Sequence, residues 1–439
     1  MHPRRRLCGL LLVAGAILLV GLGPWLGGLA PGALPWGGSV AETDPSGGGA
    51  AGPPPLASPG PTPPTSPAPS LAPGSGADEL AVLAPALQAV LERAVEEGQI
   101  PGLSAAVRWP DGRLWVGAAG WADVAGRRPM TPSTAVALGS VSKTFVAALV
   151  LRLVADGRLS LDDRVNRWLP GLPARILPSG VTVRMLLDHT SGIADFFANP
   201  AIDRALLAHR NTPWTPTRSL AYVGGSLFRP GRGWHYSNTN YLLLGLLVER
   251  LTGQPWGAAV TSSLLDPLGL RETFVQGGDP PIPVAHGYSF RTSGGVLIPD
   301  DLSDGTSIMP FTSVVTAAGA AGGLAASAAD VARWAAALYG GDVLSATERT
   351  AMVDDVRRTA RLHPAIPYGL GVEELVVDGH RTYGHDGRFL GARAEMRYFV
   401  DSGVAVAVLA NASRSPLLPV VTELARLLFP PPWRGAFAR

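Results

Sequence analysis

Hydrophobic positions recur along this chain in different rhythms, and each rhythm predicts a different kind of element. Residues 80–97 carry apolar side chains at helical spacing and stop at Gly98, which predicts a helix. Residues 103–109 and 113–119 alternate as two strands about Pro110-Asp111-Gly112, a turn signal. From 141 to 155 almost every position is apolar, and a helix with no polar face is a buried one. Gly157 ends it. A second apolar helix covers 241–251 and stops at Gly253. Ser327, with Asp330 three residues on, caps a helix over 331–338. Residues 392–400 and 404–410 alternate as strands about Asp401-Ser402-Gly403, and 417–429 forms a closing helix.

The intervening stretches are less regular. Residues 161–170 read as a short helix or turn, 195–235 as helix-and-loop material covering a cleft, 277–310 as surface loop, and 383–391 as a glycine-rich stretch ahead of the penultimate strand. Strands at both chain ends with helices between them predict one sheet made from both termini. Short turns make that sheet mainly antiparallel. The expected class is α/β (α+β), with helices flanking the sheet and a mostly helical insertion at about 160–310. No internal repeat is present.

The N-terminal part follows other rules. Arg4, Arg5 and Arg6 precede a run without charge from 7 to 41, with an apolar core over 7–20. This reads as an export signal or an N-terminal membrane anchor, residues 1–41, and the arginines favour the cytoplasmic side. Ser39-Val40-Ala41 is a plausible, late cleavage site. The folded part is therefore expected to be extracytoplasmic, secreted or anchored. Residues 45–77 are Pro, Gly, Ala, Ser, Thr and Leu with no charge. Such a segment buries too little apolar surface to fold, so 42–77 is expected to be a disordered linker. Extended, it would reach at most about 100 Å. The folded domain is expected over 78–430, with 431–439 as a tail.

Composition narrows the chemistry. The chain holds 439 residues, a net charge of +2, and a single cysteine, Cys8, inside the leader. The mature part thus lacks disulfides, thiolate metal sites and cysteine nucleophiles. With no basic run after Arg6, nothing points to nucleic acid. Of 36 Lys and Arg residues only Lys143 is a lysine. Arginine stays protonated in proteins, whereas a buried lysine can become a neutral amine. Lys143 lies three residues after Ser140, which on a helix puts both side chains on one face. A serine beside a possible base is the minimal nucleophilic unit.

Three motifs stand out in order: Ser140-Val141-Ser142-Lys143, Tyr236-Ser237-Asn238, and Gly384-His385-Asp386-Gly387. Each is common alone; their order and spacing are not. With them the sequence resembles the serine β-lactamase and penicillin-binding family, most closely the class C-like branch of DD-carboxypeptidases, D-aminopeptidases and esterases. The resemblance covers about residues 78–430. It extends to Leu161-Asp162-Asp163, to the run from Leu186 through His189-Thr190-Ser191-Gly192, to Pro230-Gly231, to Gly245 with Thr252-Gly253, and to Ala321-Gly322-Gly323-Leu324 with Ser327 and Asp330. In class A members the second motif is S-D-N; a tyrosine there points to the class C-like branch.

The resemblance implies roles. Ser140 attacks a carbonyl to form an acyl-enzyme. Lys143 takes its proton if neutral, which requires lowering a pKa of about 10.4 by roughly three units, about 4 kcal/mol. Tyr236 shares that proton and delivers it to the leaving group, and the two titrate as a unit. Asn238 holds a substrate oxygen. The oxyanion lies between the backbone N–H groups of Ser140 and of Arg388, the residue after Gly387. His385 is expected to face the substrate, with a turn role as the alternative. His189 is expected to be a structural hydrogen-bonder behind the site. Trp214 and Trp234 are open between groove lining and packing.

Two departures rank the activities. Dedicated class C β-lactamases usually carry lysine where His385 stands, and histidine does not guarantee a cation at neutral pH. Asp386, in place of a small residue, is expected to add negative charge near the cleft and to pair with His385 or Arg388. A DD-carboxypeptidase, D-amino-acid peptidase or carboxylesterase therefore ranks above a β-lactamase, and above a non-catalytic wall-binding protein. The expected partner is a small molecule or peptide, such as a cell-wall peptide. No G-x-S-x-G elbow, Walker A loop, H-E-x-x-H or cysteine cluster is present, and no cofactor or metal is implied.

Overall fold

Both ends of the folded chain meet in one sheet. The computed structural model describes residues 75–293, 296–303, 308–362 and 367–430. The leader, the linker up to residue 74 and the tail lie outside them. In chain order the strands are β1 (Gly102–Arg108), β2 (Leu114–Asp123), β3 (Arg128–Pro129), β4 (Val136–Ala137), β5 (Thr273–Val275) and β6 (Tyr288–Ser293). They continue with β7 (Val296–Asp301), β8 (Leu324–Ala326), β9 (Glu373–Val377), β10 (His380–Phe389), β11 (Ala392–Phe399) and β12 (Val404–Ala410). The helices used below are α1 (Ser75–Gly98), α2 (Ser142–Ala155), α3 (Asn238–Thr252), α4 (Ala328–Gly340), α5 (Ala346–Thr359) and α6 (Leu418–Leu428).

The main sheet has the order β3-β2-β1-β12-β11-β10-β9, antiparallel throughout. β12 pairs with β1, with Leu103 opposite Ala410, so the last strand closes against the first. Strand alternation sorts two cores. Val404, Val406 and Val408 pack with α1 and α6, while Ala405, Ala407 and Leu409 join the larger core around α2, α3 and α4. β4, β8 and β5 form a small second sheet.

The apolar run over 141–155 is the buried central helix that its composition predicts. From Ser142 to Leu151 every residue of α2 is buried, and Phe145 stacks on Trp334 of α4 at 3.9 Å between ring centres. Trp334 Nε1 donates to Thr144 Oγ1 at 2.8 Å, which locks α4 onto α2. Ser327 caps α4 by accepting from Asp330 N, as its motif predicts.

Two expectations change. Residues 277–310 were expected to be surface loop, yet β6 and β7 pair there as a hairpin, with Tyr288 opposite Asp301. Its strands alternate only in part and carry Pro299 and paired acids, so they lack an apolar signature. The glycine-rich stretch over 383–391, expected to precede the penultimate strand, is itself largely strand β10. Its glycines serve close approach: a Cβ on Gly384 would lie 1.8 Å from Met396 O, and one on Gly387 2.1 Å from Leu138 O. Gly387 thereby lets β10 lie against the turn that precedes α2. No helix among the described residues is long and apolar enough to cross a membrane.

Because that backbone contact positions the site, Gly387→Ala should lower the unfolding free energy by about 1–3 kcal/mol in denaturant titration. Gly278→Ala, where nothing lies within 4 Å, should stay within about 0.5 kcal/mol of wild type.

Candidate active site

The site begins with a tight turn. Gly139–Val141 forms one turn of 3-10 helix ahead of α2, and Gly139 has φ +51, in the left-handed region that favours glycine. A Cβ there would lie 2.8 Å from Arg388 O and 3.0 Å from Arg388 N, so the turn and the end of β10 touch backbone to backbone. Leu138 N donates to Leu324 O at 2.9 Å and Leu324 N to Ser142 Oγ at 3.2 Å, which ties the same turn to β8. Ser140 stands on this turn, half-buried, next to fully buried Lys143.

Lys143 Nζ has three oxygen neighbours: Ser140 Oγ at 3.0 Å, Asn238 Oδ1 at 2.8 Å and Ala321 O at 2.7 Å. Two of these, an amide oxygen and a backbone carbonyl, can only accept. A neutral amine has two N–H groups and one lone pair. The two acceptors take the N–H groups, and the lone pair is left facing Ser140 Oγ, the only neighbour with a proton to give. Burial pushes the Lys143 pKa down from 10.5 to about 7, against the opposing carboxylates of Asp195, Asp386 and Glu373. The shift corresponds to roughly 5 kcal/mol between the charged and neutral forms.

The dry surroundings come from aromatic rings. Lys143 Nζ lies 4.9 Å from the ring centre of Tyr236 and 5.5 Å from that of Tyr241. The His189 ring packs 4.3 Å from Tyr236, 4.9 Å from Tyr368 and 5.5 Å from Tyr241. Trp234 joins this group against His189 and Tyr236, whereas Trp214 is buried against Tyr222 and the Arg218 guanidinium. The Tyr236 hydroxyl is buried without a well-formed hydrogen bond. Burial raises its pKa well above the ordinary range, and only its closeness to Ser140 pulls the other way. It is a phenol at neutral pH, able to give a proton.

The second motif is fixed from one loop. His189 has φ 64, and its Nδ1 accepts from Ser237 N and from Asn240 Nδ2, both at 3.1 Å. Two donors on Nδ1 leave the proton on Nε2. Ser191 Oγ donates to Asn240 Oδ1 at 2.7 Å. Thr239 Oγ1 accepts from Phe196 N at 3.0 Å and donates to Ala194 O at 2.7 Å. The 188–197 loop is thus clamped to the start of α3, and His189 makes the structural bonds its position predicts.

His385 differs from expectation. Rather than facing the substrate, its side chain is fully buried. Tyr368 Oη lies 2.8 Å from its Nε2, and its Nδ1 lies 2.5 Å from Asp386 O. The backbone carbonyl requires a donor, so Nδ1 carries the proton and Tyr368 donates to Nε2. Burial lowers the His385 pKa, partly opposed by Glu373 and Asp386, so the ring is neutral at pH 7. Asp386 keeps its expected partner, Arg388, but on the other side of the sheet. Register puts Asp386 and Arg388 opposite Glu395 and Arg393, on the sheet face that carries Val406 and Val408. His385 and Gly387 occupy the face toward α2. Asp386 pairs with Arg388 at 2.8 Å, and nearby Arg397 bonds Glu373 at 2.8 Å and Glu395 at 2.5 Å.

Ser140, Lys143, Tyr236 and Asn238 therefore come together, with Gly387 and the Arg388 backbone at the Ser140 turn. Three participants had no place in the sequence reading. Asp195 accepts from Asn238 Nδ2 at 2.8 Å; its signal was a lone carboxylate in the apolar run Gly192–Ala198. Tyr368 and Glu373 gave no signal by spacing. Among the described residues, two side-chain groups bring three possible metal ligands within 4.8 Å: Asp123, His286 and Asp301, and Glu373, His385 and Asp386. In the second, the carboxylates are already matched by Arg388 and Arg397 and both His385 nitrogens are bonded.

Comparison with known proteins shows the family. The beta-lactamase family profile matches residues 87–428. The chain belongs to the beta-lactamase family. Among its relatives, penicillin-binding protein 4* of Bacillus subtilis is 29% identical over 74% of this chain and 71% of that protein. Esterase EstB of Burkholderia gladioli is 39% identical, over 46% of this chain and only 54% of the esterase. The crystal structure of a D-stereospecific amidohydrolase from Streptomyces sp. superimposes with a TM-score of 0.66 at 30% identity, covering 79% of this chain and 98% of that one. The protein is a serine hydrolase of this family.

The buried amine should also govern stability. The folded pKa of Lys143 lies below its unfolded value, so the unfolded chain binds more protons between about pH 7 and 10.5. Stability from this group therefore rises with pH through that window. Denaturation midpoints of wild type measured against Lys143→Met from pH 7 to 9 should diverge in favour of wild type, by up to about 1.4 kcal/mol per pH unit. A flat difference would contradict the depressed value.

Proposed function

We propose that this protein is an extracytoplasmic serine hydrolase that acts through an acyl-enzyme on Ser140. Its substrates on this reading are small carboxylic esters and D-amino-acid amides or peptides. The observation that carries the proposal is the set of three oxygens around Lys143 Nζ, two of which can only accept. It supports a neutral amine whose lone pair faces the serine hydroxyl.

The steps follow from that arrangement. Ser140 Oγ attacks the substrate carbonyl carbon as its proton passes to Lys143 Nζ. The carbonyl oxygen becomes an oxyanion between the N–H groups of Ser140 and Arg388, which the backbone contact of Gly139 with Arg388 keeps side by side. When the tetrahedral adduct collapses, the bond to the leaving oxygen or nitrogen breaks. Tyr236 gives that atom a proton and regains one from Lys143. Water then attacks the acyl group by the same route in reverse, and Ser140 Oγ leaves with a proton. Asn238 Nδ2, with one N–H on Asp195, has a second for a substrate oxygen.

The environment of the third motif supports the substrate class. His385 is neutral and bonded at both nitrogens, and Arg388 is paired with Asp386 on the other sheet face. Neither is a free cation for a substrate carboxylate, as β-lactam recognition at this place would need. The relatives named as an esterase and a D-stereospecific amidohydrolase point the same way. The charge-free leader behind three arginines supports placement outside the cytoplasm.

Incubation with p-nitrophenyl butyrate or a fluorophosphonate should add one acyl or phosphonyl group, localised to Ser140 by peptide mass mapping, and Ser140→Ala should abolish it. The acylation rate should rise with pH through about 7 as Lys143 loses its proton, then level. No adduct from folded protein with either reagent would sink the reading, and rapid turnover of a chromogenic cephalosporin would move it to a β-lactamase.

A further inference from the structure

Asn238 is held between two groups of opposite demand. Its Oδ1 accepts from Lys143 at 2.8 Å, and its Nδ2 donates to Asp195 Oδ2 at 2.8 Å. An amide is nearly symmetric in shape, so it could also sit reversed. Reversed, its oxygen would face a carboxylate oxygen and its N–H groups would face the lysine amine. Asp195 itself cannot yield. It is buried, caps the Phe196–Ala198 turn by accepting from Phe197 N at 3.1 Å on its other oxygen, and belongs to the loop clamped to α3 through Thr239. Both oxygens accept an N–H, a demand that a carboxylate meets and an amide does not.

The charges around Lys143 are unequal in kind. Asp386 of β10 and Glu373 of β9 act on it only through their charge, and Arg388 and Arg397 neutralise them. His189 from the 188–197 loop and His385 from β10 are neutral, and Tyr236 and Tyr241 present ring faces. Asp195 forms no ion pair with arginine among the described residues. It is first among the groups that hold Lys143 up against burial.

We infer that Asp195 is a positioning residue of this site: it fixes the Asn238 amide with its oxygen toward Lys143, and its carboxylate, one amide away, opposes the loss of the Lys143 proton. The inference rests on the proposed Ser140 acylation and deepens it. Acting through Asn238, Asp195 touches no reacting atom.

The test is the pH dependence of acylation by p-nitrophenyl butyrate in wild type, Asp195→Asn and Asp195→Ser. Serine still caps the turn, so that variant keeps the loop while losing both the charge and the reach to Asn238. Both variants should keep a wild-type thermal midpoint within a few degrees. Their plateau rates should fall, up to about 100-fold. Their acid limbs should move to lower pH by about one unit, because removing a carboxylate favours the neutral amine. In an Asn238→Ala background, Asp195→Ser should cost no further plateau rate while the limb still moves. An unchanged limb, a limb moved upward, or fully additive rate losses would overturn the inference. Wild type that is not acylated on Ser140 would instead overturn the proposed function, so the two failures are distinct.

Discussion

Everything in this site answers to one buried amine. A lysine with no exposure lies against the ring faces of Tyr236 and Tyr241, and burial is the largest influence on its pKa. Leaving such a group unsatisfied would cost several kcal/mol. The fold supplies two acceptors for its N–H groups from distant segments, Asn238 from α3 and Ala321 from the turn before β8. That assignment leaves the lone pair for Ser140. Arginine could not serve here, because it does not become neutral in a protein. This is the physical content of a chain that uses 35 arginines and one lysine.

Supplying those groups dictates much of the surrounding architecture. The 188–197 loop grips the first turn of α3 through His189, Ser191, Asp195 and the backbone at Ala194 and Phe196. β10 is stripped to glycine at Gly384 and Gly387 so that it can approach β11 and the Ser140 turn. α4 and β8 hold the same turn from the other side through Trp334, Thr144 and Leu324. Helix and sheet cores meet at Ser140. The ion network of Asp386, Arg388, Glu395 and Arg397 occupies the far sheet face, where it stiffens β10 and β11 without presenting a free charge to Ser140.

Local periodicity made most of this fold legible, because α2, α3, β1, β11 and β12 carry continuous or alternating apolar runs. The hairpin over 288–301 was not legible, since its residues alternate only in part, and β10 gave no strand signal because its glycines serve tertiary approach rather than strand propensity. In the site, Ser140, Lys143, Tyr236 and Asn238 were readable as motifs with order and spacing. The burial of His385 was not, because it depends on Tyr368, a residue supplied by a separate segment. Ala321 was visible as part of a motif, but its role lies in a backbone carbonyl, which leaves no side-chain trace. Asp195 was a lone acid in an apolar stretch, a signal that acquires meaning only when its partner, 43 residues away, is known.

The central claim is that Lys143 is a neutral amine near physiological pH, and the sequence allows a direct reading. Because it is the only lysine, protein grown with isotope-labelled lysine gives a single side-chain Nζ–Cε signal in NMR, free of overlap. Followed against pH in folded protein, that signal should titrate with a midpoint near 7. A midpoint near the ordinary 10.5 would contradict the account, since the amine would then be charged and without a lone pair for Ser140.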